Sequence, residues 1–325
     1  MRLGFYMGYA PPGTNPRELV ELAQEAERLG YDSAWAAEAW GTDAVSVLAW
    51  LAAVTERIKV GSAIMQIPAR TPAATAMTAA TIDLMSGGRF LLGLGTSGPQ
   101  VVEGWHGQEW GRPLARTREY VEIVRAALRR EPLAYDGLHY RLGEPALKLM
   151  LRPVRAEIPI YLAAMSPKAV DQAAEIADGW LPLFFVPERA REVFPAPFAR
   201  EGLEIAPSVP ALLSDDVQSA RDALKPYYSF YVGSMGSRAK NFYNEVFARF
   251  GYEREAKEIQ ELALAGKQRE AAALVPDSFV DAAALVGPKE RMAERLAAFR
   301  EAGATTVLVS TRDAATLRAV AEAAS

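Results

Sequence analysis

The sequence predicts an α/β protein of the (β/α)8 TIM-barrel class with a helical insertion late in the chain. Three observations carry this prediction. Short, near-continuous apolar runs alternate with amphipathic stretches of helical period, the pattern of a parallel sheet covered by helices. The runs number eight, which favours a closed barrel over an open doubly wound sheet. The stretch from Ser214 to Val286 breaks the alternation and is mostly helical. The length of 325 residues then suits one domain, 1–325, with an insertion at about 214–286.

Each element has a local reason. Leu3 to Tyr6 reads as the first strand. Asn15 can cap the first helix, Pro16 fits its first turn, Leu19, Leu22, Ala23 and Ala26 repeat at helical spacing, and Gly30 stops it. Strands follow at Ser33 to Ala37, Lys59 to Ile64 and Phe90 to Leu94, with helices at Ala44 to Ala53, Pro72 to Met85 and Arg116 to Arg130. Asp136-Gly137, between Leu133-Ala134-Tyr135 and Leu138-His139-Tyr140, signals a small hairpin. The alternation resumes with strand Ile160 to Ala163, helix Pro167 to Ala177 and strand Trp180 to Leu183. Strand Ile205 to Leu212 is interrupted by Pro207 and Pro210. Helix Pro288 to Glu301, strand Thr306 to Val309 and helix Ala314 to Ala324 close the pattern. The insertion carries Tyr227, Tyr228, Phe230, Tyr231, Phe242, Tyr243, Phe247, Phe250 and Tyr252. These suit either a small core of its own or a lid that walls a substrate pocket, and both can hold at once.

Composition removes several function classes. There is no cysteine, hence no disulfide, thiolate nucleophile, Cys-ligated zinc or Cys-held iron–sulfur cluster. His106 and His139 are the only histidines, so no metal is expected. A net charge of −4 argues against a nucleic-acid partner. The start lacks the apolar run of a signal peptide, and no stretch reaches the roughly 18 apolar residues of a membrane span. The expected compartment is the cytoplasm, with no membrane partner.

In a βα barrel the active site forms where the strands end, so residues just after each strand are the candidates. They begin with Gly8 and Tyr9 and continue with Glu38 to Trp40 and Ala63 to Gln66. Gly95 to Pro99, Ala164 to Lys168 and Leu183 to Phe185 complete them. Gly93-Leu94-Gly95-Thr96-Ser97-Gly98 matches Gly-x-Gly-x-x-Gly, but Pro99 follows and no clear helix opens before about Arg116, as a dinucleotide site requires. The alternatives are a tight turn leaving a strand, or small-residue backbone against which a flat ring lies. Ser166-Pro167-Lys168 opens a helix and reads as an anion site for phosphate or as an ordinary cap with a solvated Lys. Glu38, beside Trp40, suits proton transfer if buried near aromatics, or a salt bridge at the rim. Glu103 and His106 share a loop with Trp105 and Trp110, where a histidine is more often structural than catalytic.

Asp83-Leu84-Met85-Ser86-Gly87-Gly88-Arg89-Phe90, followed by Leu92-Gly93-Leu94-Gly95, resembles the signature of the bacterial luciferase-like superfamily. So do Gly30 to Trp35 and the stretch from Gly287 to Gly303. Gly95 to Gly107 and Tyr161 to Lys168 are similar to its deazaflavin-dependent oxidoreductases, which resemble methylenetetrahydromethanopterin reductase. The resemblance implies hydride transfer between coenzyme F420, an 8-hydroxy-5-deazaflavin, and a small organic substrate, with oxidation or reduction rather than monooxygenation. It implies a cis peptide between Ala63 and Ile64 whose bulge supports the middle of the ring, and Gly8 is expected among the cofactor-binding residues. It places Gly95, Thr96, Ser97 and Gly98 along the ring and ribityl chain. Met165, Ser166, Pro167 and Lys168 would hold the phosphate, and Glu38 would be the acidic, catalytic residue beside the ring. The superfamily's sugar-phosphate dehydrogenases carry His after that acid, where this chain has Ala39, so the pocket suits a hydrophobic carbonyl, enone or alcohol. The rivals are an FMN-dependent monooxygenase or reductase on the same barrel and a non-catalytic deazaflavin-binding protein. The family pairs through its second and third helices, which here are nearly continuous in small and apolar residues, so a homodimer is expected.

Overall fold

The computed structural model describes residues 1–8, 13–155, 157–236, 238 and 240–324. They form two compact units. The first comprises Phe5–Ala163 with Gln172–Gly179, and the second Met1–Gly4, Ala164–Asp171 and Trp180–Ser325.

In the first unit β1 (Arg2–Gly8, shared at its start with the second) leads to α1 (Pro16–Arg28), β2 (Ser33–Ala36) and α2 (Ala44–Val54). Then come β3 (Lys59–Ser62), β4 (Met65–Gln66), α3 (Pro72–Met85) and β5 (Phe90–Gly95). The strands pair in parallel, β2 with β3 and β3 with β5. The helix starts follow their cap residues. Asn15 accepts the Arg17 N–H at 3.0 Å, Asp43 the Ser46 N–H at 2.7 Å, and Thr71 the Ala74 N–H at 3.2 Å.

After β5 the structure departs from expectation. A helix, α4 (Pro99–Gly104), opens directly at Gly98, and α5 (Pro113–Leu128) starts three residues before Arg116 and ends before Arg130. Both begin on proline at the first turn, where its missing N–H costs nothing. The six residues of α4 are too few to show a helical period in sequence. The hairpin is also displaced. Its strands are β6 (Tyr135–Asp136) and β7 (Arg141–Leu142), leaving Gly137 to Tyr140 as the turn. The Glu119 carboxylate accepts the N–H groups of Leu138, His139 and Tyr140 at 2.8, 2.8 and 3.1 Å, so a residue distant in sequence sets this turn.

β8 (Ile160–Leu162) pairs parallel with β5, and α6 (Pro167–Ile176) and β9 (Gly179–Trp180) follow. One layer of the first unit is set by two large rings over two glycines. Trp35 is buried and meets the Tyr161 ring edge-on, with centroids 5.1 Å apart. Its partner across the ladder is Gly61, where a Cβ would lie 2.3 Å from the indole. A Cβ on Gly179 would lie 2.2 Å from the Tyr161 ring. Gly61→Ala is therefore expected to force both rings from their places and destabilise the fold by about 1–3 kcal/mol or more. A urea unfolding midpoint equal to that of the parent chain would refute this.

The second unit continues with α7 (Pro187–Val193) and α8 (Ala196–Ala199), neither expected from sequence. Next are β10 (Glu204–Ile205) and β11 (Ser208–Leu213). The prolines do not break this strand. Ala206 and Ser208 donate to the Trp180 and Pro182 carbonyls at 2.9 and 3.1 Å. Pro210, two residues further along, falls past the last of these bonds, where no N–H is needed. The insertion then holds α9 (Val217–Ser229), a π-turn at Phe230–Ser234, α10 (Phe242–Arg249), α11 (Glu253–Leu264), α12 (Gln268–Ala273) and α13 (Asp277–Ala283). It ends in a strand, β12 (Leu285–Gly287), where a helical stretch was expected, and β12 pairs parallel with β11. α14 (Lys289–Glu301), β13 (Thr306–Ser310), also parallel to β11, and α15 (Ala314–Ala324) complete the chain.

The insertion is packed with its neighbours rather than standing apart. Phe247 and Tyr228 are buried and meet Phe279 at 4.4 and 5.1 Å between centroids. Phe184, expected at the strand ends, is buried among Tyr228, Tyr231, Tyr243 and Phe279. These rings form a core that the insertion shares with Phe184 rather than one of its own. No helix among the described residues is long and apolar enough to cross a membrane.

Candidate functional site

The ends of the first unit's strands are knitted together by backbone bonds. The Ala37 N–H donates to Gly8 O at 2.9 Å, Ala63 N–H to Ala36 O at 2.8 Å, and Glu38 N–H to Ile64 O at 3.2 Å. Gly8, Glu38, Ala63 and Ile64 therefore share one rim. Tyr9 lies outside the described residues. The Ala63–Ile64 peptide is cis, as the resemblance implies. It breaks the third strand into β3 and β4, and β4 pairs with the end of β5 so that Gln66 stands opposite Gly95.

Gly95 shows whether a flat group fits here. A Cβ at this position would lie 3.0 Å from both Cγ1 and Cδ1 of Ile64 and 3.5 Å from the Ala163 methyl. Ile64 already fills that space, so glycine is what lets the side chain of the cis bulge pack directly on the end of β5. Ile64 is half-buried and Gly95 buried, so it is Ile64 that presents the aliphatic surface, which fits the flat face of a ring. Thr96 follows, its hydroxyl 3.4 Å from Ser97 O. Ser97 has φ 60°, in the left-handed region that a non-glycine residue enters at a cost. Gly98 then accepts the N–H groups of Val101 and Val102, both at 3.0 Å, and opens α4. Residues held against their preference cluster at ligand-binding loops. Ser97→Val is expected to lower stability by about 1–2 kcal/mol, and Ser97→Gly to leave it unchanged or raise it slightly. Equal melting temperatures for the two variants would count against a strained loop.

The Glu38 side chain is buried, while Trp40 is 46% exposed. Its carboxylate is fully engaged. Both oxygens bond the Arg70 guanidinium, Nη2 to Oε2 at 3.1 Å. One oxygen also accepts the Gln66 N–H at 2.9 Å and the other the Ala44 N–H at 3.2 Å, at the start of α2. Arg70 reaches on to Asp43, the cap of that helix, at 2.8 Å. Burial works against the Arg70 charge, but the bond and charge of Glu38 outweigh it and hold its pKa above the ordinary value. Burial likewise disfavours the Asp43 carboxylate. The Ser46 hydrogen bonds and the Arg70 charge outweigh that and hold its pKa low. This is the salt-bridge geometry of the two sequence readings, and it leaves Glu38 no free lone pair facing a ligand. Gln66 was among the candidates after the third strand but had no role assigned, and Arg70, four residues further on, was missed. The signal of both in sequence was only their place just after that strand.

Gln66 makes a second connection. Its Nε2 donates to Ala39 O at 2.7 Å, and its Oε1 lies 3.3 Å from His106 Nε2. Glu103 is exposed, with its carboxylate 3.4 Å from the Trp110 N–H.

In the second unit, Ser166 O accepts the N–H groups of Ala169 and Val170 at 3.0 and 2.9 Å, opening α6 at Pro167 as the sequence predicts. Met165 and Ser166 are half-buried, and Pro167 and Lys168 are exposed. Ala164 O accepts the Trp180 indole N–H at 2.9 Å, which fixes the strand end that leads into this helix.

A family model described as luciferase-like monooxygenase matches residues 1–306. The chain is 43% identical to the "Putative coenzyme F420-dependent oxidoreductase" of Mycobacterium tuberculosis, over 99% of this chain and 98% of that one. Among solved structures it is similar to the coenzyme F420-dependent tetrahydromethanopterin reductase of Methanopyrus kandleri, with TM-score 0.84, 24% identity, and coverage of 99% of this chain and 97% of that one. It is also similar to an F420-dependent secondary alcohol dehydrogenase in complex with an F420–acetone adduct, with TM-score 0.79, 20% identity and coverage of 99% and 97%. These structural likenesses show that the fold class is the α/β, TIM-barrel-like one the sequence predicts.

Proposed function

Because the chain belongs to the luciferase-like monooxygenase family, we propose that it is an oxidoreductase that uses coenzyme F420 to transfer a hydride to or from a small carbonyl, enone or alcohol. The observation that carries this reading is the half-buried Ile64 side chain of the cis Ala63–Ile64 bulge, packed on Gly95 as an aliphatic bed for a flat ring. That bed admits a flavin or a deazaflavin equally. The 43% identical relative named for coenzyme F420 favours the deazaflavin over FMN.

Gly8, Ala63, Ile64 and Gly95 support the ring, and Thr96, Ser97 and Gly98 follow its chain. Taken by itself, the first turn of α6 with Met165, Ser166, Pro167 and Lys168 suits a phosphate through its N–H groups and the Lys168 charge. When bound, the coenzyme supplies a hydride acceptor or donor that reacts poorly with oxygen. The bonds of Glu38 support a role in holding the rim in shape, in place of the proton transfer read from sequence. Ala39 leaves the neighbouring position apolar, which supports a hydrophobic substrate. No resident metal takes part in this reading.

The chain acts in the cytoplasm as a homodimer. α3 presents Met77, Leu84 and Met85, exposed by 59%, 49% and 49%, along one stripe with Ala74 and Thr81. A second copy covering α2 and α3 would bury it.

The test is a turnover assay with oxidised F420 and a panel of secondary alcohols, and with reduced F420 and the matching ketones and enones, followed by the coenzyme's visible absorbance. Substrate-dependent change in either direction is expected. Oxygen-dependent turnover with reduced FMN, and none with F420, would replace this reading with the monooxygenase one. Tight F420 binding without any turnover would replace it with a carrier.

A further inference from the structure

We propose that His106 is the proton-transferring residue of this site, with Gln66 as the positioning residue that sets which imidazole nitrogen is basic. The proposal rests on the hydride-transfer reading above.

A carbonyl that gains a hydride must also gain a proton at oxygen, and the two positions where a proton handler was sought are closed. Ala39 carries only a methyl, and both oxygens of Glu38 are committed to Arg70 and to the N–H groups of Gln66 and Ala44. His106 stands next to the same rim. In parallel pairing Gln66 is opposite Gly95, so the buried Gln66 side chain lies on the same face of the strands as the Gly95 position against which Ile64 packs. His106 Nε2 is 3.3 Å from the end of that side chain. From Glu103 to Glu109 His106 is the one residue that is not exposed. Backbone bonds turn it inward, the His106 N–H donating to Val101 O and the Gln108 N–H to Val102 O, both at 3.0 Å.

The bonds also fix the chemistry. A carbonyl oxygen only accepts, so the Gln66 atom 2.7 Å from Ala39 O must be the amide nitrogen. Its oxygen then faces His106, and the imidazole must present N–H at Nε2 to meet it. Nδ1 is left as the basic atom. In the reducing direction the substrate carbon takes a hydride, with both electrons, from the reduced coenzyme. The π pair of the C=O bond moves to oxygen, and that oxygen takes the proton from Nδ1 of the imidazolium. His106 is left neutral with its remaining proton on Nε2, bonded to Gln66, and it regains the lost proton from solvent. Alcohol oxidation runs the same transfers in reverse.

Two measurements test this. Nitrogen-15 NMR of histidine-labelled protein without coenzyme reads the tautomer directly, and the chain has only His106 and His139 to assign. The Nε2–H form is expected for neutral His106, and Gln66→Met should shift it toward a mixture. An Nδ1–H tautomer in the parent chain would overturn the proposal. In steady state, His106→Gln is expected to lower kcat by roughly 10²–10⁴-fold and to remove one limb of the pH profile of kcat/KM, with the F420 Kd within about twofold. His139→Gln should change neither. Parent-level kcat in His106→Gln would overturn the proposal while leaving the hydride-transfer reading intact. A parent chain that binds F420 and turns nothing over would instead fail that reading, and this proposal with it.

Discussion

Arg155→Met is expected to lower stability by about 3–5 kcal/mol, because it strands a carboxylate in the core. Asp83, on α3, is fully buried. It accepts the Phe90 N–H and the Arg155 Nε–H, both at 3.2 Å, and also bonds Arg155 Nη2. Arg155 Nη2 donates as well to Phe90 O at 2.6 Å, so the pair clamps the start of β5. Removing Arg155 leaves the Asp83 charge with one backbone donor in an apolar surrounding. The pair as a whole is worth much less than this cost, since its own desolvation offsets most of the attraction. The double variant Asp83→Leu, Arg155→Met should therefore recover at least half of the loss. Urea midpoints of the three chains decide it. A single-variant loss below about 1 kcal/mol would show that solvent reaches the carboxylate.

Arg70→Met is expected to cost about 3 kcal/mol for the same reason at Glu38. It should also raise the F420 Kd, because Glu38 ties together Gln66 and the start of α2, which frame the ring bed. Glu38→Gln is the sharper probe. The amide keeps the shape, but its NH2 must face one of the N–H donors that now surround the carboxylate. A stability loss of about 1–3 kcal/mol is expected, larger in proportion than any change in kcat. Melting curves and steady-state kinetics on one preparation separate the roles. A fall of about 10²-fold or more in kcat at unchanged melting temperature would return proton transfer to Glu38.

The alternation of strands and helices was legible because each element carries its own apolar period and its own cap, as Asn15 and Thr71 show. What was not legible depends on partners distant in sequence. Pro210 is harmless because of where the neighbouring strand's bonds end, and the hairpin turn is set by Glu119. The signature from Asp83 to Phe90 was legible only as a resemblance, and its physical work lies in the scaffold. Arg89 Nη2 donates to the Ala52 and Thr55 carbonyls at 3.2 and 2.8 Å and so closes the end of α2, while Asp83 holds Arg155. At the candidate site the glycines stood out, because backbone that only glycine permits is visible as glycine, while the cis Ala63–Ile64 bond was legible only through the resemblance. The commitment of Glu38 to Arg70 did not, since 32 residues separate them. Nor did the link between Gln66 and His106, 40 residues apart.

The central claim is that the bed beside Ile64 and Gly95 holds a deazaflavin. The most direct measurement is a fluorescence titration of the purified chain with oxidised F420 and, separately, with FMN. An F420 Kd at least tenfold below that for FMN, about 1.4 kcal/mol, is the predicted result. FMN binding tenfold tighter than F420 would contradict it.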